Sequence, residues 1–155
     1  MIFVTTSTVA IKASVERIFD LIRNVREWPQ IFPPCRHVEI LVDEPAYTKF
    51  YLTAVTRGVV NYWLSEQVIV EPQKLIRFRQ LEPTWPFSFM EGEWSIAGED
   101  GSVQLTMQHR FELCVNVLLQ PLVGFVVKKI FVEKNTDVEL RALVKAAEKS
   151  DCRIK

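Results

Sequence analysis

Trp28-Pro29-Gln30-Ile31-Phe32-Pro33 decides how this chain is read. Pro29, Pro33 and Pro34 forbid regular continuation of the helix before them, so 28–32 forms a second short helical turn ending at the prolines. On the N-terminal side, 7–13 reads as a strand, and Met1 to Thr6 already alternates like one. Ser14 then stands at an N-cap position ahead of Val15, Ile18, Phe19, Leu21 and Ile22 at helical spacing. Beyond the prolines the period falls to two. Segments 37–42, 48–56, 59–70, 74–81, 87–97 and 103–113 read as strands whose short separators make neighbours antiparallel. From Pro121 to about Lys149 the helical period returns, over a length that suits a helix lying across a whole sheet. The expected fold is α+β: a curved antiparallel sheet of about seven strands around one long C-terminal helix, with 28–32 closing one end of an interior cavity.

Composition narrows the function. A chain of 155 residues makes one domain, 1–155, that buries roughly two thirds of its unfolded surface. Nineteen basic residues balance nineteen acidic ones, which removes the broad positive field that nucleic acid requires. Cys35, Cys114 and Cys152 are odd in number and far apart, so neither a disulfide framework nor a metal site is expected, and a reducing cytoplasm is. The two histidines are distant, and five glycines form no phosphate-cradling loop, so no cofactor is expected. Met1 to Thr6 does not read as a signal peptide. The apolar run 113–127, broken by Asn116, Gln120, Pro121 and Gly124, is too short and interrupted for stable membrane insertion.

The stretches 19–21 and 27–32, then Tyr62-Trp63-Leu64-Ser65, then Pro86-Phe87-Ser88-Phe89-Met90 ending in Trp94, and Phe111, carry a likeness to a known family. In this order they resemble the helix-grip polyketide aromatase/cyclases of the START-like (SRPBCC) superfamily, such as the tetracenomycin and spore-pigment cyclases. The resemblance implies an interior pocket that folds a poly-β-ketone tethered to an acyl carrier protein and promotes regiospecific aldol cyclisation and dehydration, without metal or redox cofactor. It also implies a Tyr after the short second helix, an Arg two residues past the Trp-x-Ser serine and a second Arg on the next strand. This chain carries Cys35, Gln67 and Gln80 at those places. The family's Asn on the long helix falls at Glu133, with Asn135 nearby.

Strand alternation sends Trp63, Ser65 and Gln67 to one face, groups Met90 with Trp94, and sets His109 beside Met107 and Phe111 in parity. An aldol closure needs a base, donors for an enolate oxygen and a wall that bends the chain. His109 has an ordinary pKa near neutrality and is the first candidate for proton transfer; a hydrogen-bonded core histidine is the other reading. Gln67 and Ser65 are candidates to orient carbonyls, with structural hydrogen bonding as the alternative. Ser65 lacks a nucleophile's His and Asp pattern, and Cys35 is either a small filler or a thiolate. Trp28, Phe32, Trp63, Phe87, Met90 and Trp94 are core or the aromatic wall of a pocket. Candidate partners are an acyl carrier protein, docking on Arg77, Arg79, Lys128 and Lys129, and a small hydrophobic or aromatic ligand. The alternative function is a non-catalytic carrier of a quinone or lipid.

Overall fold

The computed structural model describes residues 1–149, so Cys152 lies outside the described residues. Strand β1 (Phe3–Ile11) leads into helix α1 (Val15–Arg23), a 3-10 turn and helix α2 (Trp28–Ile31). Strands β2 (Cys35–Glu44), β3 (Tyr47–Thr56), β4 (Val59–Val70), β5 (Leu75–Glu82), β6 (Phe87–Glu99) and β7 (Ser102–Leu113) follow. The described residues end in α3 (Gln120–Val126), a π segment (Val127–Val132) and α4 (Glu133–Lys149). All seven strands form one antiparallel sheet in the order β1-β7-β6-β5-β4-β3-β2. This is the α+β arrangement of antiparallel sheet and long helix expected from the periodicities, with β1 beginning earlier and β6 ending later than the sequence suggested.

Local chemistry fixes the helices at the lower end of the sheet. The Ser14 side chain accepts from the Arg17 N–H at 3.1 Å, capping α1, while the Val15 N–H donates to Asp100 at 2.9 Å and so ties α1 to the β6–β7 turn. The Lys12 N–H donates to the Glu148 carboxylate at 3.1 Å, fastening the end of α4 beside the end of β1. At the other end α3 crosses so close to β1 that a Cβ at Gly124 would overlap the Phe3 ring. Between these anchors the helix runs past the concave face.

The interior is not one continuous apolar core. A large cluster joins α1 and α4 to the lower sheet through Ile18, Phe19, Ile22, Ile76, Trp94, Leu105, Leu140 and Leu143. A smaller one joins Met90, Phe111, Leu113, Val127 and Val132. Between the two lies a single register row across the inner face: Thr48, Gln67, Phe78, Gly92, His109, Thr5. Three of those six are buried polar residues. A polar row inside an apolar fold costs stability unless each group is partnered, so it marks where function lies.

Candidate functional site

His109 faces inward from β7, edge-on to the Phe78 ring at 5.4 Å between centroids. That contact spans β6 because Gly92 has no side chain; a Cβ there would overlap the ring. On its other side His109 Nδ1 meets the Thr136 hydroxyl of α4 at 3.4 Å. The single hydroxyl proton of Thr136 is given to the Val132 carbonyl at 2.8 Å, inside the π segment. The Thr136 oxygen therefore accepts from His109, which puts the imidazole proton on Nδ1 and leaves Nε2 an acceptor. Burial pushes the His109 pKa down to about 4, so it is neutral at pH 7. This corrects the expectation of titration near neutrality: a solvated histidine has that pKa, an enclosed one does not.

Gln67 is completely buried, and its Nε2 donates to the Arg23 carbonyl at the end of α1, 3.1 Å away. Its first task is thus to fasten α1 to the sheet, while its Oε1, like that of Gln80, has no hydrogen-bond partner. Ser65 is buried and pairs in register with Gln80. Trp63 keeps part of its surface accessible on the same face of β4.

The other rings expected in a pocket wall are largely core. The Trp28 indole donates to the Ile22 carbonyl at 3.1 Å and meets Phe32 and Phe50 edge-on. Phe32 and Trp94 lie in the larger cluster, Met90 in the smaller, and Phe87 stands edge-on to Phe111. In a small domain such rings supply the apolar area that folding needs. Lys129 binds the Glu133 carboxylate at 3.0 Å in an i,i+4 pair along the helix. Asn135, two residues on, is half-buried. Cys35 is buried and its thiol is pushed up to about 11, by burial first and by the nearby Glu139 carboxylate second, so it is no thiolate.

Glu139 escaped the sequence reading. It stands one turn beyond Thr136 on α4, within electrostatic reach of Cys35 at the start of β2. Burial pushes its carboxyl up to about 7, and it has no hydrogen bond or ion pair among the described residues. Glu139 and His109 are thus deep enough to be desolvated, yet both retain accessible surface, a combination that solid packing does not give. Asn135, Glu139, Ala142 and Ala146 form one half-accessible stripe. Ala146 lines a concavity of about 1010 Å³ together with Arg23, Asn24, Ile31, Thr48 and Ile69. Gln67 itself does not line it, although its cross-strand partner Thr48 and its hydrogen-bond acceptor Arg23 both do. A second concavity, of about 380 Å³, lies among the outward charges of β4 to β7. There Arg77 is bound to Glu93 at 2.9 Å, so part of the expected basic docking surface is neutralised within the chain. No metal-ligand cluster occurs among the described residues, and no helix of theirs is long and apolar enough to cross a membrane.

A seven-stranded sheet gripping a long helix, with a polar row facing that helix, defines a helix-grip fold. The Zhui aromatase/cyclase from a Streptomyces species has the same fold, with a TM-score of 0.87, 25% identity, and coverage of 96% of this chain and 95% of that one. The di-domain ARO/CYC of the steffimycin pathway matches in fold at a TM-score of 0.83 and 14% identity, over 97% of this chain and 52% of that one. The chain belongs to the family described as polyketide cyclase / dehydrase and lipid transport, whose profile matches residues 11–137. It is 28% identical over 142 residues to the actinorhodin polyketide synthase bifunctional cyclase/dehydratase of Streptomyces coelicolor, covering 92% of this chain and 43% of that protein. The granaticin polyketide synthase bifunctional cyclase/dehydratase of Streptomyces violaceoruber is 30% identical over 105 residues, 67% of this chain and 32% of that protein. The chain therefore spans less than half the length of these two relatives.

Proposed function

We propose that this chain is a polyketide cyclase/aromatase, working as one START-like domain over 1–155 in the cytoplasm, without cofactor. It folds a carrier-protein-tethered poly-β-ketone between sheet and helix and promotes aldol closure with loss of water. The observation that supports this best is the row of uncharged hydrogen-bonding groups between two apolar clusters. A poly-β-ketone is a flexible apolar chain with regularly spaced carbonyls, and such a row offers it matching donors within apolar walls. Ser65, Gln80 and the one remaining amide hydrogen of Gln67 orient carbonyls; Trp63, Cys35 and Asn135 border the chain. His109 Nε2 accepts from an enol or hydroxyl. Arg79 and Lys128, which form no salt bridge among the described residues, meet the acidic surface of the acyl carrier protein. The relatives named cyclase/dehydratase and aromatase/cyclase agree with this reading.

One observation favours carriage of a quinone or lipid instead: Leu118, Leu122 and Phe125 are 86%, 69% and 60% exposed, an apolar face on α3 and the loop before it. Adding the protein to a reconstituted minimal polyketide synthase and profiling the products by mass spectrometry separates the two. The cyclase reading expects one ring pattern to replace the mixture of spontaneous products. An unchanged mixture, alongside tight binding of a quinone or phospholipid, selects the carrier.

A further inference from the structure

We propose that the end of the molecule carrying α3 is a docking surface for an anionic lipid membrane, which the protein touches peripherally without spanning. The inference goes beyond the cyclase reading and does not depend on it. Because every strand runs antiparallel to its neighbours, β3, β5 and β7 all finish at this end, and their following turns gather there with α3 and the π segment. Hydrogen bonds tie these distant segments together. The Cys114 N–H donates to the Pro86 carbonyl at 2.8 Å, the Thr84 hydroxyl to the Tyr62 carbonyl at 3.4 Å, and Arg57 to the Ile130 carbonyl at 3.3 Å. Each segment carries large apolar side chains out into water. Leu118, Leu122 and Phe125 project from α3 and the loop before it, Val59 and Val60 from the start of β4, and Trp85, 76% exposed, from the β5–β6 loop. Single exposed apolar residues are ordinary, but a fringe of them on several tied loops at one end marks a contact surface.

Charge identifies what the fringe faces. The segments 54–65, 83–90 and 113–132 contain Arg57, Lys128 and Lys129 and no acidic residue, although the whole chain balances nineteen cations against nineteen anions. Lys129 is paired with Glu133, while Arg57 and Lys128 form no salt bridge among the described residues. The Arg57 guanidinium lies over the Phe131 ring, 5.1 Å from its centroid, so cation and apolar surface stand side by side. An apolar fringe edged with cations matches a bilayer of anionic lipids: the aliphatic side chains enter the acyl boundary, Trp85 sits at headgroup depth, and the cations meet phosphate. A second copy of the chain fits worse. A two-fold interface would set Arg57 and Lys128 against their own copies, with no acid in these segments to meet them. The 1010 Å³ concavity is bordered by Asp43, Glu44 and Pro45 at the β2–β3 turn, the opposite end of β3 from Arg57, so a docked molecule leaves it open to water.

The test is co-sedimentation of the full chain with vesicles of mixed phosphatidylglycerol and phosphatidylcholine or of phosphatidylcholine alone, with light scattering to give the mass of the free protein. Wild type should sediment with the phosphatidylglycerol vesicles and about tenfold or more weakly with phosphatidylcholine alone or at high salt. Leu122→Ser combined with Phe125→Ser should weaken partitioning by about tenfold or more, with circular dichroism unchanged because both side chains already stand in water. Arg57→Gln should lower binding to the phosphatidylglycerol vesicles by about fivefold and leave binding to phosphatidylcholine alone unaltered. Wild type left in the supernatant with both kinds of vesicle overturns the assignment. A dimer in light scattering that the paired serine substitutions dissolve also overturns it, and gives the face to a second copy. Neither result touches the product pattern of a polyketide synthase assay run without vesicles, so this proposal and the cyclase reading fail separately.

Discussion

Two stripes of α4 lie side by side and do opposite work. Val132 of the π segment leads the first, continued by Thr136, Leu140, Leu143 and Ala147, all buried. Asn135, Glu139, Ala142 and Ala146 make up the second, all half-accessible. The first is fully buried, with Val132, Leu140 and Leu143 closing in the apolar clusters; the second offers small or polar side chains that leave room. A rotation of about 100° separates them, the turn between consecutive residues of an α-helix. One helix therefore supplies both the wall that holds the fold and the wall that faces a guest.

The sharpest way to break this division is to empty the buried stripe. Leu143→Ala should lower unfolding free energy by about 2–5 kcal/mol, read from urea denaturation, because its neighbours in the larger cluster cannot close the gap. The second stripe should respond with the opposite sign. The folded Glu139 carboxyl titrates at about 7 against an ordinary 4.5, so the folded state holds a proton that the unfolded chain has lost between those values. Stability contributed by Glu139 thus falls as pH rises through that window, and Glu139→Gln should be more stable than wild type by about 3 kcal/mol at pH 7. The gain should vanish below pH 4.5. The remaining His109 acts in reverse, its contribution growing as pH rises from about 4 to 6.5, so the variant's stability should climb over that range. Thr136→Val removes the hydroxyl that meets both the Val132 carbonyl and His109, at an expected cost of about 1–2 kcal/mol in thermal unfolding. Smallest in stability, under about 1 kcal/mol, is Ala146→Leu, which fills the concavity; its effect should instead appear as weakened ligand binding by calorimetry.

Most of the architecture was legible because strands and helices differ in period. The strand over 59–70 matched its observed bounds, and Ser14 caps α1 as its position foretold. The long C-terminal helix was visible too, but not its π segment, since apolar spacing says nothing about which carbonyl each N–H reaches. The site was half legible. Alternation placed Ser65, Gln67 and His109 on the inner face, and nothing in alternation could tell that Gln67 would be spent on the Arg23 carbonyl. Two of the three glutamates of the helix were harder. Glu133 and Glu139 sit in a stretch crowded with Lys134, Asp137 and Arg141, where any one acidic residue reads as solvated. Glu139's four-residue step from Asn135 and its phase with Ala142 and Ala146 were the available signals of an inward, roomy face.

The π segment carries a consequence for how the site keeps its aim. Upstream, Gly124 is pinned against Phe3; downstream, Thr136 is pinned against His109. The wider winding between them acts as a vernier, taking up the angular remainder that two fixed docking points would otherwise leave. A single-residue deletion there would turn every downstream side chain of the helix by about 100° relative to the sheet.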